Sequence, residues 1–483
     1  MAVQEGLTFE TDIPGRLDRL AWGRWHSLVV VSLGITWILD GLEVTIVGAI
    51  SGVLQEPGTL GLSATQIGLS GTLYIGGAIT GALLFGRLTD LYGRKRLFLI
   101  TLAIYVLATS ATAFSTGFVM FGACRFVTGM GIGGEYAAIN SAIDELIPAR
   151  VRGFTDLAIN GSYWIGTACG AVLSVVLLDP RVLGHDLGWR AAFGLGALLA
   201  LAILLVRRHV PESPRWLLIR NRPDEAERIV RTIEARCEIV PDACEPRRLR
   251  ILAGEPAGLV HVVRVLFRQY RARAALGLSL MVAQAFFYNA IFFTYALTLT
   301  RFYDVAPERI GNYLLPFAAG NFLGPLVLGR AFDAFGRRVM IVATYGLSGL
   351  VLLVTGFLFR AGELNAATHT MLWSVSFFFA SAAASSAYLT VSEVFPLELR
   401  AQAISVFYAV GTGTGGLIAP TLFGALIESG SRHELFAGYA FAAALMIGAA
   451  LVAMRFAVPA ERRPLEEIAR PLSEVDYPER RSR

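Results

Sequence analysis

Four ionisable side chains interrupt the long apolar stretches of this sequence well away from their ends: Asp40, Glu43, Arg125 and Glu135. A charge at the centre of a lipid bilayer costs about 2.5–3.5 kcal/mol on insertion scales, so charged residues at such positions are expected to be functional. Asp40 and Glu43 are three residues apart and share one face of a helix. Crowded, poorly hydrated carboxyl groups resist joint ionisation, which suits one of them to bind and release a proton near neutral pH.

Arg125 is the predicted partner of one of these acids. At 1.5 Å per residue it lies roughly 11 Å from the outer end of its helix, and Glu43 lies roughly 14 Å from the outer end of its own. A static ion pair without proton movement is the alternative, but one arginine cannot neutralise two carboxylates. Glu135 lies roughly 15 Å further along the same helix as Arg125. It is therefore predicted to line a cavity or to bond to the backbone rather than to pair with Arg125.

The elements that position these residues are predicted to be membrane-spanning helices. The chain has 483 residues, of which 55% are hydrophobic and 16% charged, with 50 glycines, whereas an ordinary soluble domain carries about 25% charged residues. About 20 apolar residues cross a bilayer as a helix. Twelve such runs occur, near 27–52, 65–86, 97–116, 118–143, 154–178, 189–207, 274–299, 310–329, 339–359, 368–392, 402–427 and 434–456. We therefore predict an all-α membrane protein with twelve spans.

The distribution of basic residues predicts the orientation in the membrane. With both termini on the cytoplasmic side, most of the 42 Lys and Arg residues fall on that side, as the positive-inside rule requires. The other side then holds only Arg181, Arg190, Arg301, Arg309, Arg360 and Arg432. The basic charge is explained by topology and contact with a lipid bilayer, so no nucleic-acid partner is expected. We expect a monomer in the cell (inner or plasma) membrane.

Two six-helix halves are indicated by an internal repeat. GRLTDLYGRKR, from Gly86 to Arg96, recurs as GRAFDAFGRR from Gly329 to Arg338. Glu145 and Arg152 have the same spacing as Glu393 and Arg400. The predicted organisation is an N-terminal tail, a first half, a central loop with amphipathic surface helices, a second half and a C-terminal tail, at 1–24, 25–208, 209–273, 274–456 and 457–483.

These motifs resemble those of major facilitator superfamily transporters over nearly the whole chain. PESPRWL at 211–217 and LEEI at 465–468 are similar to the sugar-porter branch. LDGLE in the first run and GIGGEY in the fourth resemble metabolite:proton symporters and synaptic-vesicle-type transporters. The resemblance implies a fold of two pseudo-symmetric halves with a substrate site between them. It also implies that Glu43 and Arg125 match the acid and the arginine of sugar:proton symporters.

The resemblance implies an ion-pair latch on the cytoplasmic side that breaks when the carrier changes state. A solvated rim that only fixes topology is the alternative. The residues of the predicted latch are Asp90, Arg94, Glu145 and Arg152 in the first half and Asp333, Arg337, Glu393 and Arg400 in the second.

Alignment on the loop motifs implies a substrate site formed by Asn160, Gln284, Asn289, Asn321 and Tyr388. Amides donate and accept hydrogen bonds, and an aromatic wall adds apolar contact. Ala283 replaces the first Gln of the seventh-span motif of sugar porters, and no Gly-Pro precedes Tyr388. An organic or aromatic acid is therefore as plausible a substrate as a sugar. Each amide could instead form an interhelical hydrogen bond.

The predicted function is uptake of a small polar organic metabolite together with a proton. Proton-antiport efflux and proton-independent uniport are the alternatives. No nucleophile–base constellation, metal-ligand cluster or phosphate-binding loop occurs in the sequence, so we expect neither an enzyme nor a cofactor beyond the proton gradient. The terminal tails are too short to form the signalling domain of a sensor.

Overall fold

Helices make up nearly all of the computed structural model, which describes residues 8–178, 182–183, 185–207, 210–239, 248–252, 258–292, 294–306 and 309–475. Twelve long helical segments follow one another along the chain. They are Arg24–Ile50, Ala64–Tyr92, Arg94–Ala113, Phe118–Leu146, Arg152–Leu177 (interrupted at Ser162), His185–Arg207, Arg271–Phe292, Ile310–Ala334, Arg337–Ala361, Ala366–Val394, Arg400–Glu428 and Arg432–Phe456. The predicted all-α class is confirmed, and we refer to these segments as spanning helices one to twelve.

Eleven of these segments within the described residues are long and apolar enough to cross a membrane. Helix four, Phe118–Leu146, has 29 residues but is not among them. It carries Arg125, Glu135, Asp144 and Glu145 along its length. These charges lower its mean hydropathy, and its position among the other helices keeps them away from lipid, since all four residues are buried.

Two of the predicted spans are not continuous helices. The span predicted at 154–178 consists of Arg152–Gly161 and Tyr163–Leu177. The Ser162 hydroxyl donates to the carbonyl of Ile159 at 2.6 Å and lies 3.1 Å from that of Gly34 in helix one, and such bonds compete with the helical ladder. The span predicted at 274–299 ends at Phe292, and a separate helix occupies Tyr295–Tyr303.

Shorter elements gather at the end of the bundle from which helix one starts. Five are helices: Ile13–Asp18, Pro214–Ile219, Pro223–Glu234, Leu259–Arg268 and Leu465–Ile468. The strands Thr8–Thr11 and Leu249–Leu252 pair antiparallel, with Phe9 opposite Ile251, and this pairing was not predicted. Three of these helices, Pro214–Ile219, Pro223–Glu234 and Leu259–Arg268, lie in the central segment. The boundaries predicted for the two tails, the two halves and the central loop stay predictions.

Glycines allow tight turns and close helix contacts within each half. Gly93 and Gly336 occupy equivalent places in the repeated motif, between consecutive helices, with φ of 97° and 101°, which only glycine adopts readily. Gly41 lies between the two predicted acids of helix one, where a Cβ would meet the backbone carbonyl of Tyr163. Helices two and eleven, and helices five and eight, form most of the contacts between the halves.

Candidate functional site

Glu43 and Arg125 form an ion pair between helices one and four. Both side chains are almost completely buried, with exposures of 3% and 2%. The Arg125 guanidinium also lies over the ring of Tyr74, 4.4 Å from its centre. Arg125 therefore contacts Glu43, the acid that lies at nearly the same predicted depth from the outer helix ends.

Asp40 has a different set of partners from Glu43, although the two acids lie on one helix. Its carboxylate accepts hydrogen bonds from the hydroxyl of Tyr74, at 2.7 Å, and from the hydroxyl of Tyr136. Asp40 thus faces two phenol groups, while Glu43 faces the guanidinium. Tyr74 contacts both sets, since its hydroxyl binds Asp40 and its ring supports Arg125.

Glu135 lies apart from this group. Its carboxylate is 3.4 Å from the hydroxyl of Thr36, one helical turn before Asp40. Glu135 is buried and contacts helix one, but it does not line either of the cavities described next.

A cavity of about 190 Å³ lies between the halves. Four of the five predicted substrate residues line it: Asn160, Gln284, Asn289 and Tyr388. Asn321 lies behind the wall, where its carbonyl oxygen accepts a hydrogen bond from the hydroxyl of Tyr288 at 2.8 Å. Asn321 therefore positions a wall residue rather than facing the cavity.

The sequence analysis missed most of the aromatic wall of this cavity. The missed rings belong to Trp37, Tyr136, Tyr163, Trp164, Tyr288 and Phe292. Trp37 stacks on Tyr136 with ring centres 4.5 Å apart and meets Tyr388 edge to face at 5.8 Å. Their signal was present in the sequence, because three of them, Tyr163, Tyr288 and Phe292, lie within three residues of a predicted substrate residue.

A second cavity of about 340 Å³ adjoins the first and contains Asp40 and Arg125 in its wall. The two cavities share the lining residues Tyr136, Tyr163, Gln284, Asn289 and Tyr388. The second cavity reaches Ser51 and Ile67, at the end of helix one and the start of helix two. The cavity system therefore extends toward the end of the bundle opposite the short elements.

Gln284 has the amide that is most available to a ligand. The nearest partner of its nitrogen is the sulfur of Met281, at 4.0 Å. The amide nitrogens of Asn160 and Asn289 instead donate to the carbonyls of Asp156 and Ala285, one turn earlier in their helices.

The eight predicted latch residues are all buried at the end of the bundle that carries the short elements, which we call the network end. Arg94 pairs with Glu145 at 2.9 Å, and Arg337 pairs with Glu393 at 3.0 Å. Two pairs join the halves, because Arg400 lies 3.5 Å from Glu145 and Arg152 lies 3.7 Å from Glu393. The network end is therefore closed, with each half contributing both signs of charge.

Asp333 and Asp90 connect the halves through helix starts. The Asp333 carboxylate accepts hydrogen bonds from the backbone amides of Gly153 and Phe154, at 3.1 and 2.8 Å, at the start of helix five. Asp90 instead interacts with both the backbone and the side chain of Gln402, near the start of helix eleven. Each acid is thus in contact with the helix start of the opposite half, where the helix dipole favours a negative charge.

The two segments that resemble sugar porters meet at the network end. Arg215 of PESPRWL pairs with Glu466 of LEEI at 2.9 Å and with Asp18 at 3.2 Å. Burial alone would raise the pKa of Glu466, but the charge and hydrogen bond of Arg215 outweigh it, and the pKa lies below its usual value. Burial raises the pKa of Asp18 despite Arg215 and Arg152 beside it.

Comparison with known proteins gives consistent matches. The family model described as sugar (and other) transporter matches residues 41–472. The niacin transporter NiaP of Acinetobacter baylyi is 26% identical over 435 residues, covering 88% of this chain and 93% of that protein. The 4-hydroxybenzoate transporter PcaK of Pseudomonas aeruginosa is 27% identical over 329 residues, covering 68% and 70%. The structure of the proton:xylose symporter XylE, a major facilitator superfamily protein, superimposes with a TM-score of 0.76 at 18% identity, covering 92% of this chain and 98% of that one.

Proposed function

The chain belongs to the family of sugar (and other) transporters, and from that premise we propose that it takes up a single-ring organic acid together with a proton. The observation that carries the proposal is the cavity of about 190 Å³, whose wall is mostly aromatic and includes the amide of Gln284. Small-molecule sites combine such apolar walls with a few polar groups that fix orientation. A sugar is the second candidate, because Gln284 and Asn289 keep the sugar-porter spacing.

Tyr136 supplies the physical link between substrate and proton. Its ring lines the substrate cavity, and its hydroxyl donates to Asp40. A ligand that packs on this ring changes the position of the hydroxyl and hence the cost of ionising Asp40. Binding of the ligand and of the proton are thereby coupled, and such coupling is reciprocal.

Transport follows from opening the network end while the opposite end closes. The pairs Arg400–Glu145 and Arg152–Glu393 join the halves here, and they break in the proposed opening. A ligand drives the change by binding the two states with different affinity. We propose that the network end faces the cytoplasm, that the protein is a monomer in the cell membrane, and that the proton gradient is its only coupling factor.

Purified protein tested by thermal shift should identify the ligand class. We expect nicotinate and 4-hydroxybenzoate to raise the melting temperature more than xylose or myo-inositol does. Any ligand that stabilises the protein is then supplied to proteoliposomes with an imposed pH gradient. Accumulation should follow the proton into the vesicle, and an uncoupler should abolish it.

Variants of the buried charges separate the mechanisms. Asp40→Asn should abolish uphill accumulation while leaving exchange without a gradient measurable, and Glu43→Gln and Arg125→Ala should abolish accumulation. Asp224→Asn, a change at an exposed residue of a surface helix, is the control. Movement against the proton would establish antiport, and uptake that is insensitive to the uncoupler would establish uniport. Either result contradicts the proposal.

A further inference from the structure

Two buried carboxyl groups between the cavity and the network end are not used by the site described above. Asp144 lies on helix four, and Asp156 lies on the first part of helix five. Both have an exposure of 0%. The sequence analysis did not single them out, because both fall near the ends of predicted spans.

The buried charges at the network end do not balance. Among the described residues, seven acids face five arginines there. The acids are Asp90, Asp144, Glu145, Asp156, Asp333, Glu393 and Glu466, and the bases are Arg94, Arg152, Arg215, Arg337 and Arg400. Asp18, which pairs with Arg152 and Arg215, adds a further acid at the edge. Because a buried unpaired charge is very costly, the excess of fully buried acids favours a bound proton or cation in this region.

Buried oxygens without a hydrogen-bond donor show which of these acids are not neutralised by an arginine. Both carboxyl oxygens of Asp144, one oxygen of Asp156 and the amide oxygen of Asn160 are buried and accept no hydrogen bond from the described residues. The Asn160 amide nitrogen lies 3.3 Å from Asp156 and 3.5 Å from the Asn140 oxygen. The hydroxyl of Ser392, the polar neighbour of Asp144, is already used by the Leu389 carbonyl at 2.9 Å. Buried carboxylates normally collect donors, whereas a protonated carboxyl group carries its own.

The charged groups that face this pair come from both halves. Asp144 faces Glu393, Arg152 and Arg400. Asp156 faces Asp144, Glu393 and Arg337. Each of these arginines is already paired with another acid, since Arg152 and Arg337 contact Glu393 and Arg400 contacts Glu145. Neither acid of the pair therefore has a cation of its own while the network end is closed.

A polar stripe connects the pair with the proposed proton acceptor. Tyr136, Asn140 and Asp144 follow at intervals of four residues on one face of helix four, over about 12 Å. Tyr136 donates to Asp40, and Asn140 donates to the Tyr136 carbonyl at 2.8 Å. Asn160, which lines the substrate cavity, reaches the pair from the other helix. The pair thus lies beyond the cavity, on the way to the network end.

We propose that Asp144 and Asp156 form a second proton-binding site that shares one proton while the network end is closed and releases it when that end opens. This inference rests on the proposed symport, in which the proton enters at Asp40 and leaves past this pair. On opening, Arg152 and Arg400 separate from the acids of the opposite half and water enters. The O–H bond of the shared carboxyl group then breaks, the proton passes to water, and both carboxylates become hydrated beside Arg152, which has left Glu393.

Infrared spectroscopy of the purified full-length protein tests the proposal directly, because a protonated carboxyl group has a carbonyl stretch that a carboxylate lacks. The experiment uses the Asp40→Asn background, so that the first site does not contribute. We expect a protonated-carboxyl band at neutral pH, and a weaker band when Asp144→Asn, Asp156→Asn or both are added. Asp224→Asn in the same background should leave the band unchanged. A band of undiminished intensity after both substitutions would overturn the proposal.

Two further results separate this inference from the proposed function. If sodium chloride, but not potassium chloride, removes the band or raises the melting temperature, the pair binds a metal cation and the proton site is wrong. If Asp40→Asn leaves uphill uptake intact but the band still depends on Asp144 and Asp156, the coupling role of Asp40 fails while the second site stands. The single variants keep the test valid if the double variant does not fold.

Discussion

Tyr136 connects the two chemistries of the site within one side chain. The ring packs against Trp37 at 4.5 Å and Tyr408 at 5.0 Å, while the hydroxyl reaches Asp40. A hydrogen bond to a charged group contributes about 1.5–3 kcal/mol. Removal of this hydroxyl should therefore affect the proton more than the substrate.

We expect Tyr136→Phe to keep ligand affinity within about threefold, because the ring remains, and to reduce pH-gradient-driven uptake by roughly tenfold or more. Proteoliposome uptake at several pH values measures the effect. Tyr388→Phe, another ring of the same wall, is the matched control and should retain the pH profile. Equal pH profiles for wild type and Tyr136→Phe would contradict the proposed link.

Asn321 illustrates a role that the sequence pattern could not give. It is fully buried, and its contacts are the Tyr288 hydroxyl at 2.8 Å and the Phe317 carbonyl at 2.9 Å. Asn321→Ala and Tyr288→Phe should each weaken ligand binding by breaking the same hydrogen bond. The double variant should be little worse than either single variant, since coupled residues are not additive. Ligand affinities measured by calorimetry for the four proteins give the coupling energy, and strict additivity would show that Asn321 does not act through Tyr288.

The sequence predicted the charged and polar residues of the site better than the aromatic residues that line the cavity. Charges within apolar runs are costly and rare, so Asp40, Glu43 and Arg125 stood out. An aromatic residue in a spanning helix is ordinary, and only the tertiary structure shows that Trp37 and Tyr288 face a cavity. Likewise, Asp144 and Asp156 lie near predicted span ends, where charge is expected, and only the fold shows that they are buried.

At the scale of elements, each half holds the start of a helix in the other half. Asp333 accepts from two backbone amides at the start of helix five, and Asp90 is bonded to Gln402 near the start of helix eleven. Loss of a side-chain cap typically costs about 0.5–2 kcal/mol. Here the loss would destabilise the closed state of the network end, because the acid and the helix belong to different halves.

Asp333→Ala, which removes the acceptor oxygens, should therefore open the network end in a larger fraction of molecules. Spin labels at Tyr92 and Phe335, which are exposed at equivalent positions of the two halves, measure the distance across that end. We expect a longer-distance population that grows by roughly two- to thirtyfold relative to the closed one. Asp186→Ala, at the opposite end of the bundle, is the control. An unchanged distance distribution would show that the Asp333 contact does not favour closure.

The short helix Leu465–Ile468 is held by a pair whose strength depends on pH. The pKa of Glu466 is lower in the folded protein, so its contribution to stability is present above the usual glutamate pKa of about 4.3 and is lost as the pH falls through the folded value. Glu466→Gln should lower the melting temperature at pH 7, and the difference from wild type should shrink in acid. The neighbouring, exposed Glu467→Gln is the matched control. A difference that persists below about pH 3 would contradict this assignment.

At the scale of the whole molecule, the buried ion pairs favour one of two arrangements of the halves. Arg400–Glu145 and Arg152–Glu393 cross the interface at the network end, while the cavities extend toward the other end. Buried pairs of this kind contribute less to overall stability than to the choice between packings. Changes in the network should therefore alter the rate of turnover.

Asp90→Asn should slow transport while leaving ligand affinity nearly unchanged, since Asp90 is remote from both cavities. A lost charge-assisted contact shifts the balance of states by about ten- to a hundredfold. Initial rates in proteoliposomes, compared with thermal-shift titrations of the same preparation, separate the two effects. Normal turnover with weakened binding would show that the network does not control the conformational change.

The twelve-helix architecture was largely predictable because each span is long and apolar and because the loop motifs repeat. Local chemistry limited the prediction where polar side chains interrupt a helix, as at Ser162, or where strands form between distant segments, as with Phe9 and Ile251. These features depend on partners far away in sequence. Hydropathy cannot reveal such partners, and only the assembled bundle brings them together.

The aromatic enclosure draws its rings from both halves, with Trp37 and Tyr136 on one side and Tyr388 and Tyr408 on the other. When the halves tilt relative to each other, these rings must separate. The substrate then loses part of its aromatic contact and can leave. A compound with a second fused ring, anchored on both sides at once, would hold the rings together. Such a compound should bind without being transported and so inhibit the transport cycle. Its larger size would be the only difference between it and a substrate.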